Sequence, residues 1–237
     1  MSETESTSPA QAGDTGTPAR EPLSPLAARV LGCLLEKELS TPDVYPLSLN
    51  SLVNACNQKS NRAPVMEVGS REVEAAIESL RSHRLVSVVS EADARVTKYR
   101  HTIVSLYPVL DTSSRAILAE LLLRGPQTTA ELRMRAERMT AIPDTEGTET
   151  MLTVLSDTAS GSLVRKLPRQ SGKKEARWAQ LLTGEPDLEE ASPGSATEPL
   201  KVYLSVPPEI TERLASLEAE VSALRGELKA LRAELGA

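Results

Sequence analysis

The chain has 237 residues, 40% of them hydrophobic, which suits one or two domains with aliphatic cores, yet it contains no Phe and one Trp. Aromatic residues make up only 2%, so a base-stacking platform of the kind used by RNA-recognition sheets and single-strand grooves is excluded. The net charge of −6 sits in two acidic flanks around near-neutral middle stretches, which excludes a protein that coats nucleic acid along its whole length.

Residues 1–22 are rich in Ser, Thr, Pro, Gly, Glu and Ala and bury too little to offset their ordering entropy, so a disordered tail is expected. No basic start followed by an apolar run occurs, and no apolar stretch approaches the ~18 residues of a membrane span. A cytoplasmic protein is expected. Ser24-Pro25 opens a helix with N-cap and N1 proline in order, and Leu26, Val30, Leu31, Cys33 and Leu34 give it a wide apolar face to about Leu39. The stretch Tyr45–Met66 holds a second helix. Its stripe is Leu49, Leu52, Val53 and Cys56, and Ser48 is its expected N-cap. Asn50, Asn54 and Asn57 share the opposite face, although asparagine is a poor helix former because its amide competes for backbone groups. Either these amides bond the irregular segment Lys59–Met66, or with Arg62 they form a polar face for a partner's backbone or base edges. Cys33 and Cys56 read as small buried hydrophobes, since two cysteines make neither a disulfide framework nor a metal quartet.

Ser70 is expected to cap a third helix with Val73, Ala76, Ile77 and Leu80 inward, followed by strands over Leu85–Ser90 and Arg95–Ile103. The order then recurs. Ser113 or Ser114 begins a helix with Ile117, Leu118, Leu121 and Leu122, ended by Gly125-Pro126. Thr128 and Glu131 make a capping box for the next, and Met151, Leu152 and Leu155 point inward from a third over 145–157. Strands Leu163–Pro168 and Ala176–Leu182 close the second repeat, whose offset from the first is roughly 80–86 residues. The expected fold is mainly α with small β-hairpins (α+β). It divides into two tandem winged-helix domains, 23–109 and 110–184, then a linker over 185–207 and a coiled-coil helix over 208–237.

The runs Leu31–Lys37, Tyr45–Met66, Val96–Tyr99, Leu121–Arg124 and Gly172–Arg177 resemble the YceH-like family of bacterial proteins. The resemblance covers about residues 24–184. It implies a tandem winged-helix fold and a cytoplasmic bacterial protein, with no established activity.

From Ile210 onward, Ile210, Leu214, Leu217, Val221, Leu224, Leu228, Leu231 and Leu235 alternate at spacings of four and three. This is a heptad seam, with Leu214, Val221, Leu228 and Leu235 at a. The alternative is an amphipathic helix folded back on its own domain. In a parallel pair Arg213 meets Glu218, Glu220 meets Arg225 and Glu227 meets Arg232, so a homodimer is expected, while leucine at the other a positions also fits three strands.

Catalytic chemistry is not visible. His83 and His101 lack Cys, Asp or Glu at ligand spacing and read as surface or half-buried residues. Gly172-Lys173 lacks the remaining residues of a phosphate loop. The chain is expected to be no enzyme, with no cofactor, metal or small-molecule substrate. The second hairpin carries Arg165, Lys166, Arg169, Lys173, Lys174 and Arg177 within thirteen residues against the single acid Glu175. Such a wing suits phosphates, which favours a dimeric DNA-associated regulator. Yet the third helices expose Glu72, Glu74 and Glu78, then Glu146, Glu149 and Asp157, which phosphates repel. A winged-helix adaptor between proteins, without DNA, is therefore the alternative.

Overall fold

Ser24 and Pro25 begin the first helix as their chemistry requires. The Ser24 hydroxyl accepts the N–H of Ala27 at 3.1 Å, and Pro25 fills a position whose missing N–H costs nothing. The structure, a computed structural model, describes residues 21–89, 96–169 and 175–186. These all belong to one compact unit spanning Met1–Ala196, while a second unit, Thr197–Ala237, lies outside the described residues. The expected coiled coil and nearly all of the expected tail and linker therefore lie outside them too.

The described chain is mainly helical with small antiparallel strand pairs. Its first half runs α1 (Pro25–Ser40), β1 (Leu47–Ser48), α2 (Leu49–Cys56), α3 (Ser70–Ser82), β2 (Val86–Val89) and β3 (Lys98–His101). A short helix, α4 (Ile103–Leu106), leads to the second half: α5 (Thr112–Arg124), α6 (Thr129–Ala136), α7 (Thr145–Ser156), β4 (Val164–Lys166) and β5 (Trp178–Gln180). Among the described residues no helix is long and apolar enough to cross a membrane.

Several boundaries differ from those expected. The N-cap of α3 is Gly69 rather than Ser70, because the Glu72 carboxylate reaches back to the Gly69 N–H at 2.7 Å. The cap of α5 is Asp111 rather than Ser113 or Ser114, with the Asp111 carboxylate accepting the Ser114 N–H at 2.7 Å. Ile103, read as the end of a strand, starts α4 and is fully buried. An unforeseen strand, β1, pairs with β3 and gives a three-stranded sheet in the order β1-β3-β2. The second half repeats this device with one residue: Gln127 bridges Trp178, with N–O distances of 3.0 and 2.7 Å. β1 ends at Ser48, the N-cap of α2, and Gln127 immediately precedes Thr128, the N-cap of α6.

The two halves share one core. The first helix is buried without interruption from Ala27 to Glu36, because α2 and α3 cover one side and α5 the other. On α5 the run Ala116–Leu123 is equally enclosed. Leu31, Leu34, Leu35, Ile117, Leu118 and Leu121 are each under 2% exposed, and each such side chain contributes about 1.5–3 kcal/mol. Gly32 sets how close the helices come: a Cβ there would stand 3.0 Å from Leu122 Cβ.

Candidate functional site

The asparagine face divides into two parts. Asn57 caps the end of α2 and holds Val68 with both ends of its amide. Its Nδ2 donates to the Val68 carbonyl at 2.8 Å, and its Oδ1 accepts the Val68 N–H at 2.9 Å. It thus does the work of a strand pair across the loop from 58 to 69, satisfying two backbone groups at once. Asn50 and Asn54 are exposed and have no hydrogen-bond partner among the described residues. Arg62 does not join them. It turns inward, 6% exposed, and donates to the Ala55 carbonyl at 3.0 Å, to Gln58 at 2.8 Å and to Glu36 at 2.6 and 3.1 Å. Of the four residues expected on a polar face, only Asn50 and Asn54 are exposed.

Asn57→Ala is expected to destabilise the protein by about 1–3 kcal/mol, since it strands the N–H and carbonyl of Val68. Asn50→Ala and Asn54→Ala should stay within about 0.5 kcal/mol of the parent. Urea unfolding of the three single variants checks this; equal losses at all three positions would contradict the division.

Behind this face lies a buried charge network that sequence reasoning missed. Glu36 on α1 is 1% exposed and pairs with Arg62 at 2.6 Å and Arg138 at 2.6 Å. Glu120 on α5, fully buried, pairs with the same Arg138 at 2.6 Å and with Arg124 at 3.5 Å. Arg124 in turn donates to Asn61 of the first half. Burial pushes the Glu36 pKa up, but the Arg62 and Arg138 guanidinium groups outweigh it and hold the carboxyl below its ordinary range. A sequence signal existed at Glu120, which interrupts the apolar run Ile117–Leu123, where an acid must be paired; Glu36 is followed by Lys37 and Glu38 and gave no such signal.

His101, expected at the surface or half-buried, is instead buried: its side chain is 3% exposed, and Nε2 is 2.8 Å from Glu38. Glu38 also pairs with Arg115, and Tyr45 Oη accepts the His101 N–H at 2.8 Å. These residues line a cleft of about 540 Å³ together with Arg100. Burial pushes the Glu38 carboxyl up, yet His101 and Arg115 together bring it below the ordinary range. Among the described residues no cluster of His, Cys, Asp or Glu could hold a metal ion.

In the β4–β5 hairpin, three of the bases expected to be free have acidic neighbours. Lys166 pairs with Glu149 of α7 and stands 5.4 Å over the Trp178 ring, while Arg165 pairs with Glu185. Arg177 donates to the Pro126 carbonyl at 2.9 Å and lies 3.8 Å from Glu131. Glu149 accepts from Thr129 and from Trp178 as well. Its burial raises its pKa, but Lys166, Thr129 and Trp178 lower it further, so it is ionised and held in place. Arg169 is exposed with no partner among the described residues; Lys173 and Lys174 lie outside them. The exposed side of α3 carries Glu74 and a Glu78–Arg81 pair at 2.7 Å. On α7 it carries Glu146, Thr150, Thr153 and Val154, the last 45% exposed.

Comparison with known sequences gives the class first. The family described as "Protein of unknown function, DUF480" matches residues 23–173, and the chain belongs to this bacterial family. A UPF0502 protein of Geotalea uraniireducens (strain Rf4) is 48% identical over 204 residues, covering 86% of this chain and 90% of that protein. A UPF0502 protein of Vibrio vulnificus (strain CMCP6) is 47% identical over 209 residues, covering 87% and 93%. One from Geobacter sulfurreducens is 49% identical over 202 residues, covering 85% and 90%.

Proposed function

We propose that the chain is a cytoplasmic, non-enzymatic tandem winged-helix protein, dimeric through a C-terminal coiled coil, that holds a protein partner against its third helices. The repeated order of three helices and an antiparallel strand pair supports the winged-helix reading. The heptad seam from Ile210 to Leu235 supports the coil. One observation carries the choice of partner. Three hairpin bases that would meet phosphates, Arg165, Lys166 and Arg177, are already matched by Glu185, Glu149 and Glu131 of the same molecule. Binding DNA through them would mean breaking those pairs beside the carboxylates of α7, whereas a protein surface can meet Glu146, Thr150, Thr153 and Val154 directly.

A salt titration against random duplex DNA tests the reading. Each neutralised phosphate adds about −0.9 to the slope of log affinity on log salt. The full chain is expected to bind weakly, with little slope, and a photoreactive amino acid at position 150 should capture protein rather than nucleic acid. A steep slope that flattens by up to ~3 units in the triple variant Arg169→Ala, Lys173→Ala, Lys174→Ala would overturn it in favour of DNA held by the wing tip.

The coil has its own test. Light scattering on the full chain is expected to give a dimer, and a version ending at Pro207 a monomer. Dimers joined at their C-termini would bind a shared target with added avidity. A monomeric full chain at micromolar concentration, or a dimer that survives truncation, would contradict the seam.

A further inference from the structure

Cys33 on α1 and Cys56, the last residue of α2, are both fully buried, and their Sγ atoms lie 4.0 Å apart. Both are free thiols and they are the only cysteines in the chain. An S–S bond is about 2.05 Å long, so closure requires the sulfurs to approach by about 2 Å. The second helix can supply that movement. It has eight residues, and the segment after it contains no helix or strand before Ser70, whereas α1 has sixteen residues and is enclosed on both sides.

Two guanidinium groups stand at the pair. Arg29 donates to the Cys56 carbonyl at 3.3 Å and Arg62 to the neighbouring Ala55 carbonyl at 3.0 Å. Burial disfavours a Cys33 thiolate, but the hydrogen bond with Cys56 and the charges of Arg62 and Arg29 outweigh it and lower the Cys33 pKa. The same contact with Cys33, together with burial, pushes Cys56 up. Across the 4.0 Å contact a thiolate on one sulfur accepts the other's S–H, so one sulfur can attack while its neighbour resolves.

We propose that Cys33 and Cys56 form a peroxide-responsive thiol pair that closes to a disulfide between α1 and α2 and resets the surface bearing Asn50 and Asn54. The Cys33 thiolate attacks one oxygen of hydrogen peroxide and the O–O bond breaks. Hydroxide leaves and takes up the proton that Cys33 released, giving water and a sulfenic acid on Cys33. The Cys56 sulfur then attacks the Cys33 sulfur, the S–O bond breaks, and a second water departs with the Cys56 proton. Together the two sulfurs lose two electrons and the peroxide gains two. Peroxide is little larger than water, so local opening of the segment after α2 admits it where a bulkier oxidant is excluded. A dithiol reductant reverses the change.

The full chain provides its own clock, because Met134 is 63% exposed and oxidises without any opening. The protein is treated with hydrogen peroxide, quenched, denatured, alkylated and weighed intact. The expected result is the loss of two hydrogens and of both alkylation sites within one chain, restored by the dithiol, before Met134 gains an oxygen. Cys56→Ser is expected to stop at a sulfenic acid on Cys33 that a cyclic 1,3-dione traps, and Cys33→Ser to keep Cys56 as a thiol. Oxidised Met134 with both thiols still open to alkylation overturns the proposal, as does a disulfide found only between two chains.

Discussion

Glu36→Ala is expected to cost about 3–5 kcal/mol, because it removes one partner of a buried ion pair and leaves the other charged and unpaired. The Arg62 side chain is 0% exposed and the lost carboxylate is 1% exposed, so water cannot substitute for it. Arg138 keeps Glu120, but Arg62 keeps only neutral acceptors, the Ala55 and Asn61 carbonyls and Gln58. Against a typical total stability of about 5–15 kcal/mol, the loss is large enough to show directly in urea unfolding followed by circular dichroism. A change under about 1 kcal/mol would mean that the network is hydrated. The pH dependence has a definite sign. The folded-state pKa of Glu36 is depressed, so its contribution is full above the ordinary glutamate pKa of the unfolded chain. It is lost as pH falls through the folded value. Glu36→Gln should therefore unfold with a flatter dependence on acid than the parent.

The second large effect is expected at Gly32. A Cβ there meets Leu122 Cβ at 3.0 Å and Leu123 Cγ at 3.1 Å. Rotation cannot move Leu122 Cβ, so α1 and α5 must separate by a few tenths of an ångström. Gly32→Ala sets this against a gain of about 1 kcal/mol in helix propensity, and the two terms nearly cancel. Gly32→Val adds two more methyls at this close approach of α1 and α5 and gains less propensity. A loss of about 1–3 kcal/mol is expected. The urea midpoint of the Val variant should fall well below that of the Ala variant; equal midpoints would show that the helices part freely.

The sequence by itself determined the order of the long helices and the hairpin strands, because each of these rests on local chemistry. Val73, Ala76, Ile77 and Leu80 turn inward at helical spacing, Ser24 and Thr128 cap the helices they precede, and Val-rich runs become strands. A backbone N–H left unsatisfied at a helix start is met by a side chain within three residues, so such caps can be read along the chain. Where Ser113 and Ser114 looked like the cap, the folded geometry gave the position to Asp111 instead.

Tertiary structure decided everything that depends on residues far apart. The two-residue strand β1 has no pattern of its own and exists because β3 pairs with it. Arg62 looked like part of an exposed polar face and is drawn inward by Glu36, twenty-six positions earlier. Arg165, Lys166 and Arg177 looked free along the chain and are matched by Glu185, Glu149 and Glu131, which folding brings alongside. Cys33 and Cys56 looked like two unrelated core residues until α1 and α2 set their sulfurs side by side. Charge pairing and thiol contact act over a few ångströms of space, and the chain alone carries no record of which distant residue will occupy that space.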